Sequence, residues 1–166
     1  MSNAMAGKPA SYAKTEQIHL VHPSDLNGMG RLSGGAILKM IDELAAIVAM
    51  RHAQCSTVTT VAIDNLTFKE GAHENDLLVM IGYVTYTGNT SLEVRIDTYV
   101  ENRQGLRRSI NRAYVVMVVL DQNEQPSPVP PLTVETEAQR AEWEAAIKRK
   151  CIRLERKKAG FQANVI

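Results

Sequence analysis

AILKMIDELAAIVAM, residues 36–50, decides how the rest of the chain must be arranged. The stretch has no internal glycine or proline, Ser33 or Gly34 stands near its N-cap, and it reads as a helix. Ile37, Leu38, Met40, Ile41, Leu44, Ile47, Val48 and Met50 put apolar groups almost all round it. A helix that is apolar on nearly every side is covered on nearly every side. The strands that follow can supply that cover. Thr57–Ile63 is rich in valine and threonine, and Leu77–Tyr86 comes next. Ser91–Val100 alternates strictly, with Leu92, Val94, Ile96 and Thr98 opposing Glu93, Arg95, Asp97 and Tyr99, which predicts one buried face and one wet face. Ile110–Leu120 is almost continuously apolar and fits a central strand with cover on both faces. Turns at Gly88-Asn89 and Asn102–Gly105 join the last three strands as antiparallel hairpins. The expectation is an α+β fold, an antiparallel sheet wrapped around one long central helix.

Outward from this core, Glu16–Val21 reads as a short strand ended by His22-Pro23-Ser24-Asp25, because proline cannot donate to a ladder. Pro126–Pro131 is a stiff extended linker. Thr136 with Gln139 is a capping box for a C-terminal helix that reaches about Lys158, with Trp143, Ile147 and Leu154 as sparse apolar contacts. Residues 1–15 read as a flexible tail, Ser2-Asn3-Ala4 ahead of Met5 being an expression-vector remnant. Residues 16–132 read as the main domain and 133–166 as the C-terminal helix and tail. A chain of 166 residues, 45% hydrophobic and 22% charged, is the size and composition of one globular domain. A net charge of +1 gives no global attraction to nucleic acid or membrane. No apolar run approaches the roughly 20 residues of a membrane helix. Cys55 and Cys151 lack metal-ligand spacing, and reduced thiols in a cytoplasmic setting are expected.

One carboxylate breaks the helix pattern. Lys39 and Glu43, four apart, form an ordinary exposed pair, whereas Asp42 points between Leu38, Ala45, Ala46 and Ala49. An acid in such surroundings loses hydration, which makes it a candidate base or nucleophile; a buried salt bridge or an oligomer interface accounts for it equally well. Gly34 and Gly35 open the same helix. Its first turn offers unpaired N–H groups and the positive end of the dipole, so a carbonyl becoming an oxyanion would be stabilised there. A tight turn into the helix is the plainer reading of the pair. Gly28-Met29-Gly30-Arg31-Leu32-Ser33 imitates a dinucleotide fingerprint, but no strand leads into it and no acid-tipped parallel strand follows. P-loop lysine, GxSxG and HExxH patterns are missing, and His19, His22, His52 and His73 show no ligand spacing, so no metal is expected. The basic run Lys148, Arg149, Lys150, Arg153, Arg156, Lys157 and Lys158 reads chiefly as a solvated helix end, with phosphate binding as the lesser reading.

Taken in order, HPSDLNGMGRLSGGAILKMIDE at 22–43, TVTTVAIDNLTF at 57–68, GNTSLEV at 88–94, a strand ending in VVL, and a PVP linker before an acidic-to-basic helix resemble the acyl-CoA hydrolase family of hotdog thioesterases. That family includes bacterial YciA-like enzymes and brain-type cytosolic acyl-CoA hydrolases. The resemblance covers roughly Gln17–Lys158 and implies hydrolysis of acyl-CoA to fatty acid and CoA without a cofactor, CoA being part of substrate and product. It implies a homodimer, often built up as a trimer of dimers. Asp42 would be general base or nucleophile, and Asn27 would orient water or thioester, the two acting across the dimer interface. Ser33, Gly34 and Gly35 would contact the substrate at the carbonyl, and Asn89, Thr90 and Ser91 would lie near pantetheine and phosphates. Departures fall at Met29, Arg31, Ser33 and Glu70-Gly71, so substrate preference does not carry over. A hotdog hydratase or dehydratase is the first rival, although no histidine occurs between Asn27 and Asp42 to move protons on carbon. A non-catalytic acyl-CoA-binding regulator is the second.

Overall fold

The computed structural model describes residues 5–160; residues 1–4, expected to be a vector remnant, and 161–166, the end of the expected C-terminal tail, lie outside the described residues. The chain runs β1 (Lys8–Pro9), β2 (Thr15–Leu20), α1 (Gly34–Ala53), β3 (Val58–Phe68), β4 (Leu77–Thr87), β5 (Ser91–Glu101), β6 (Arg107–Val119), β7 (Leu132–Thr133) and α2 (Glu137–Ala159). β2 to β6 form one antiparallel sheet in the order β2-β4-β5-β6-β3. The expected α+β hotdog arrangement is present, with α1 against the inner face of the sheet.

The core forms where the apolar side of α1 meets the alternating inward residues of β4 to β6. Ile37, Ile41, Leu44 and Val48 are buried with Leu78, Met80, Leu92, Ile96 and Met117. The helix lies so close to β4 that a Cβ on Gly82 would stand 2.8 Å from Ile96 Cδ1 and 3.0 Å from Val48 Cγ2. Ser33 caps α1 through a bond from Gly35 N, and Gln54 ends it in the left-handed conformation at φ 52°. Arg51 lies in its last turn, where a cation suits the dipole.

Four expectations need correction. Residues 8–15 are not a free tail: β1 pairs in parallel with β7, and Ala10 and Ala13 are buried. The third strand continues past Ile63 to Phe68, through register shifts at 60/62 and 64/67. α1 is not covered all round, since Leu38, Asp42 and Ala46, successive residues on one stripe, stay half-buried. Finally, the outer face of β5 is not wet. Glu93 is 1% exposed and Asp97 6%: α2 supplies Arg149 to Glu93, whereas Asp97 is held by Arg95 and Arg112 of β5 and β6 themselves. Arg149 donates to Glu93 at 2.8 Å and to Glu142 at 3.0 Å, Arg153 pairs with Asp64, and Arg95 bridges Asp97 and Glu142. Burial pushes the Glu142 carboxyl up, but Arg95, Tyr114 and Arg149 outweigh it and hold the group below the usual carboxylate range. Part of the basic run is thus a charge clamp on the sheet. Of the apolar residues expected to seat α2, Leu154 is exposed and Trp143 and Ile147 are half-buried.

Candidate functional site

The sequence-predicted residues fall into two groups. The first surrounds the start of α1. After β2, Pro23 ends the ladder and the chain folds into a tight loop: Asn27 N donates to Arg31 O at 2.7 Å, Leu32 N to Ala72 O at 2.8 Å and Ser33 N to Asp25 O at 2.8 Å. The Asn27 side chain ties that loop from within, its Oδ1 accepting from Met29 N at 2.9 Å and Arg31 N at 3.3 Å. This leaves Nδ2 as the donor the residue can offer a ligand. Asp25 anchors the approach by accepting from His19 Nε2 at 2.7 Å and from His22 N at 2.9 Å, contacts that hold its carboxyl below the ordinary range.

Beside the loop is a groove of about 370 Å³ whose lining includes Asn27, Gly34, Ile37, Phe68 and Ile110. The Phe68 ring lies 3.8 Å from where a Cβ on Gly34 would stand. Gly35 N–H is engaged by Ser33 Oγ at 3.3 Å, so the open donors of the first turn, among the described residues, belong to Gly34 and Ala36 rather than to both glycines. Ser33 therefore serves as the cap.

The second group lies at the other end of β3. Thr60 Oγ1 donates to Asp42 Oδ1 at 2.5 Å and also approaches Met117 Sδ at 3.2 Å. Asp42 is half-buried, on the stripe of α1 that the sheet leaves open. The Asn89–Ser91 turn lies near this end, because Thr60 is paired with Met117 and Met117 with Leu92, the residue after Ser91. The turn is held by Gly88 N to Ser91 O at 2.7 Å and Val129 N to Asn89 O at 2.9 Å. Ser91 borders a cavity of about 440 Å³ between α2 and the sheet, with Tyr86, Val116, Lys150, Arg156 and Lys157 among its walls.

Within one chain the groups stay apart. Asp42 is a little over two turns from Gly34, about 12 Å along the helix. Thr60 and Phe68 are the functional candidates that sequence reasoning missed; both sit in a strand whose valine and threonine content looks purely structural. No group of three metal-ligating side chains occurs among the described residues, and no helix is long and apolar enough to cross a membrane.

A sheet-wrapped helix with an acid on its uncovered stripe and an open first turn defines a hotdog domain. Residues 29–106 match the thioesterase superfamily. The chain is 32% identical over 152 residues to the uncharacterized acyl-CoA thioester hydrolase YkhA of Bacillus subtilis, covering 91% of this chain and 86% of that protein. It is 35% identical over 138 residues to the cytosolic acyl coenzyme A thioester hydrolase of Mus musculus, covering 81% of this chain and 36% of the relative. This chain thus spans about a third of the length of the mammalian relatives it matches. Among solved structures, an apo-hexameric acyl-CoA thioesterase superposes with a TM-score of 0.87 at 36% identity, over 95% of this chain and all of the other. An acyl-CoA hydrolase from Staphylococcus aureus, solved with butyryl coenzyme A, gives 0.82 at 29% identity over 92% of this chain and 95% of the other. Structures of that enzyme also exist with alanine replacing an aspartate, an asparagine and a threonine. The chain belongs to the thioesterase superfamily.

Proposed function

We propose that the protein hydrolyses acyl-CoA thioesters at sites shared between two copies of the chain. The observation that carries this reading is Asp42, hydrogen-bonded by Thr60 at 2.5 Å on a stripe of α1 that is otherwise apolar and uncovered. Family membership supplies the reaction class. The residue types replaced in the Staphylococcus aureus enzyme are those of Asp42, Asn27 and Thr60.

The shared site follows from the sheet. β3 pairs only with β6, and none of its described side chains is fully buried, so its outer edge offers unpaired backbone groups to a second strand. β3 runs from Thr60, beside Asp42, to Phe68, beside the groove. Two copies joined antiparallel through β3 about Asp64, which is midway, set each groove next to the other copy's Asp42. A homodimer is then the smallest working unit, and a hexamer like that of the apo relative is a trimer of such dimers.

In the joined site the thioester carbonyl faces the N–H groups of Gly34 and Ala36, whose dipole stabilises the oxyanion. Asn27 Nδ2 orients the thioester or the attacking water. Asp42 of the opposite copy takes the proton from that water, which adds to the carbonyl carbon; the C–S bond then breaks, the departing sulfur takes the proton back from Asp42, and CoA leaves as thiol with the fatty acid as the other product. Direct attack by Asp42 is the other route a carboxylate allows. Asn89, Thr90 and Ser91 lie toward pantetheine and phosphates, and the chemistry calls on no metal or other cofactor. A cytosolic setting agrees with the mouse relative's name.

The test is release of free CoA thiol from short, medium and long acyl-CoAs by wild type and Asp42→Ala. Turnover that falls at least about a hundredfold in the variant is expected, the scale of a lost acid–base group. Tight CoA binding without turnover in wild type would replace the reading with that of a binding protein.

A further inference from the structure

The groove beside Gly34 carries more positive charge than a neutral thioester requires. Arg31 and Lys69 both line it. The acid in its lining, Glu70, is taken by Arg108, and no carboxylate among the described residues lies within ion-pair distance of Arg31 or Lys69. The Arg31 side chain runs over Gly71, its Cδ 3.6 Å from where a Cβ would stand, so the absence of a side chain at 71 gives it room. Lys69 directly follows Phe68, whose ring covers Gly34. Two uncommitted cations thus stand at the first turn of a helix that already favours negative charge.

The phosphates of CoA are poorly placed to meet them. The pantetheine arm separates the thioester carbon from the nearest phosphorus by roughly 15 Å when extended. A cationic cavity also lies elsewhere, where Lys150, Arg156 and Lys157 stand near Ser91. What reaches Arg31 and Lys69 from a carbonyl held at Gly34 is the acyl chain. We propose, building on the hydrolase reading, that the groove selects acyl-CoA thioesters whose acyl chain ends in a carboxylate a few carbons from the carbonyl. Arg31 grips that carboxylate with its planar fork, Lys69 adds a second charge, and Ile37 and Phe68 pack the methylenes between. An uncharged chain of equal length gains only the packing.

Hydrolysis of glutaryl-CoA and pentanoyl-CoA, whose acyl chains are equally long, by wild type, Arg31→Gln, Lys69→Gln and the double variant tests this. Wild type is expected to show a kcat/KM for glutaryl-CoA about tenfold or more above that for pentanoyl-CoA, the scale of a charge-assisted hydrogen bond. The double variant should abolish the preference, mainly through KM, while pentanoyl-CoA turnover and inhibition by free CoA hold within about threefold. Equal losses on both thioesters with weaker CoA inhibition would overturn the proposal and assign the cations to CoA. So would a wild type that hydrolyses both thioesters equally well, and the hydrolase reading would then stand alone. Failure of wild type on both thioesters with turnover of other acyl-CoAs in the chain-length panel would overturn this proposal alone, whereas failure on the whole panel would remove the hydrolase reading and the proposal with it.

Discussion

The Thr60 hydroxyl crosses from β3 to α1 to donate to Asp42, and its second neighbour, Met117 sulfur, is a weak acceptor that competes little. A hydrogen bond to a charged group contributes about 1.5–3 kcal/mol. Thr60→Val keeps the shape and removes the donor, so kcat should fall about tenfold to a hundredfold and the melting temperature by several degrees; Thr60→Ser should retain most activity and stability. Thiol release alongside thermal unfolding checks both. His52 acts on stability instead. Its ring is fully buried, Nε2–H donates to Pro130 O at 3.0 Å, and Nδ1 meets no partner among the described residues. Burial lowers its pKa, the Pro130 carbonyl opposes this, and Lys8 adds to the lowering. The unfolded chain takes up this proton near pH ~6.5, the folded one only at lower pH. Stability from His52 is therefore complete above about pH 6.5 and is lost as pH falls from there through the folded value. Urea unfolding of His52→Gln should show a flatter decline over that acid range than wild type. At this scale Asp42 was legible because it interrupts an apolar pattern, whereas Thr60 was not, since a threonine in a strand looks the same whether or not its hydroxyl serves an acid.

α2 is seated by charge. Glu93, 1% exposed, accepts from Arg149 at 2.8 and 3.2 Å and from Thr85 at 2.8 Å, and the Arg149 guanidinium stacks 3.5 Å from the centre of the Tyr114 ring. Removing one partner of a buried pair leaves the other charge uncompensated, at a cost of about 3–5 kcal/mol. Arg149→Met should therefore destabilise the protein by that order, and adding Glu93→Leu should recover much of the loss; a double-mutant cycle from denaturant unfolding measures both. The strand positions of β4 to β6 could be read from alternation because an apolar residue every second position requires a covered inner face. The outer face could not, since Glu93 has the same sequence appearance under water as under Arg149, which comes from a helix far along the chain. Its partner became identifiable only when α2 was seen to lie over the outer face of the sheet.

At the scale of the whole molecule, the proposed shared site makes assembly part of catalysis, because Asn27 and Asp42 lie apart within one chain. Asn27→Ala and Asp42→Ala should each be nearly inactive alone. Co-expressed, they form mixed dimers in which one of the two shared sites carries both native residues, and activity should return to about a quarter of wild type for random pairing in a twofold dimer. No recovery would mean that both residues serve one chain. The uncovered stripe of α1 was hidden in the sequence, where an all-round apolar helix reads as buried within its own chain. In the proposed dimer that extra apolar surface faces a neighbour, and composition does not say whose side chains provide the cover.

The short pairing of β1 with β7 has a practical consequence. Lys8 N donates to Pro131 O at 2.8 Å and its Nζ to His52 O at 2.7 Å, so the segment stitches the end of α1 to the linker that delivers α2. An expression design that trims everything ahead of the first long strand, on the view that it is vector sequence, would cut into the brace of the C-terminal helix. The safe place to shorten or tag this protein is ahead of Lys8.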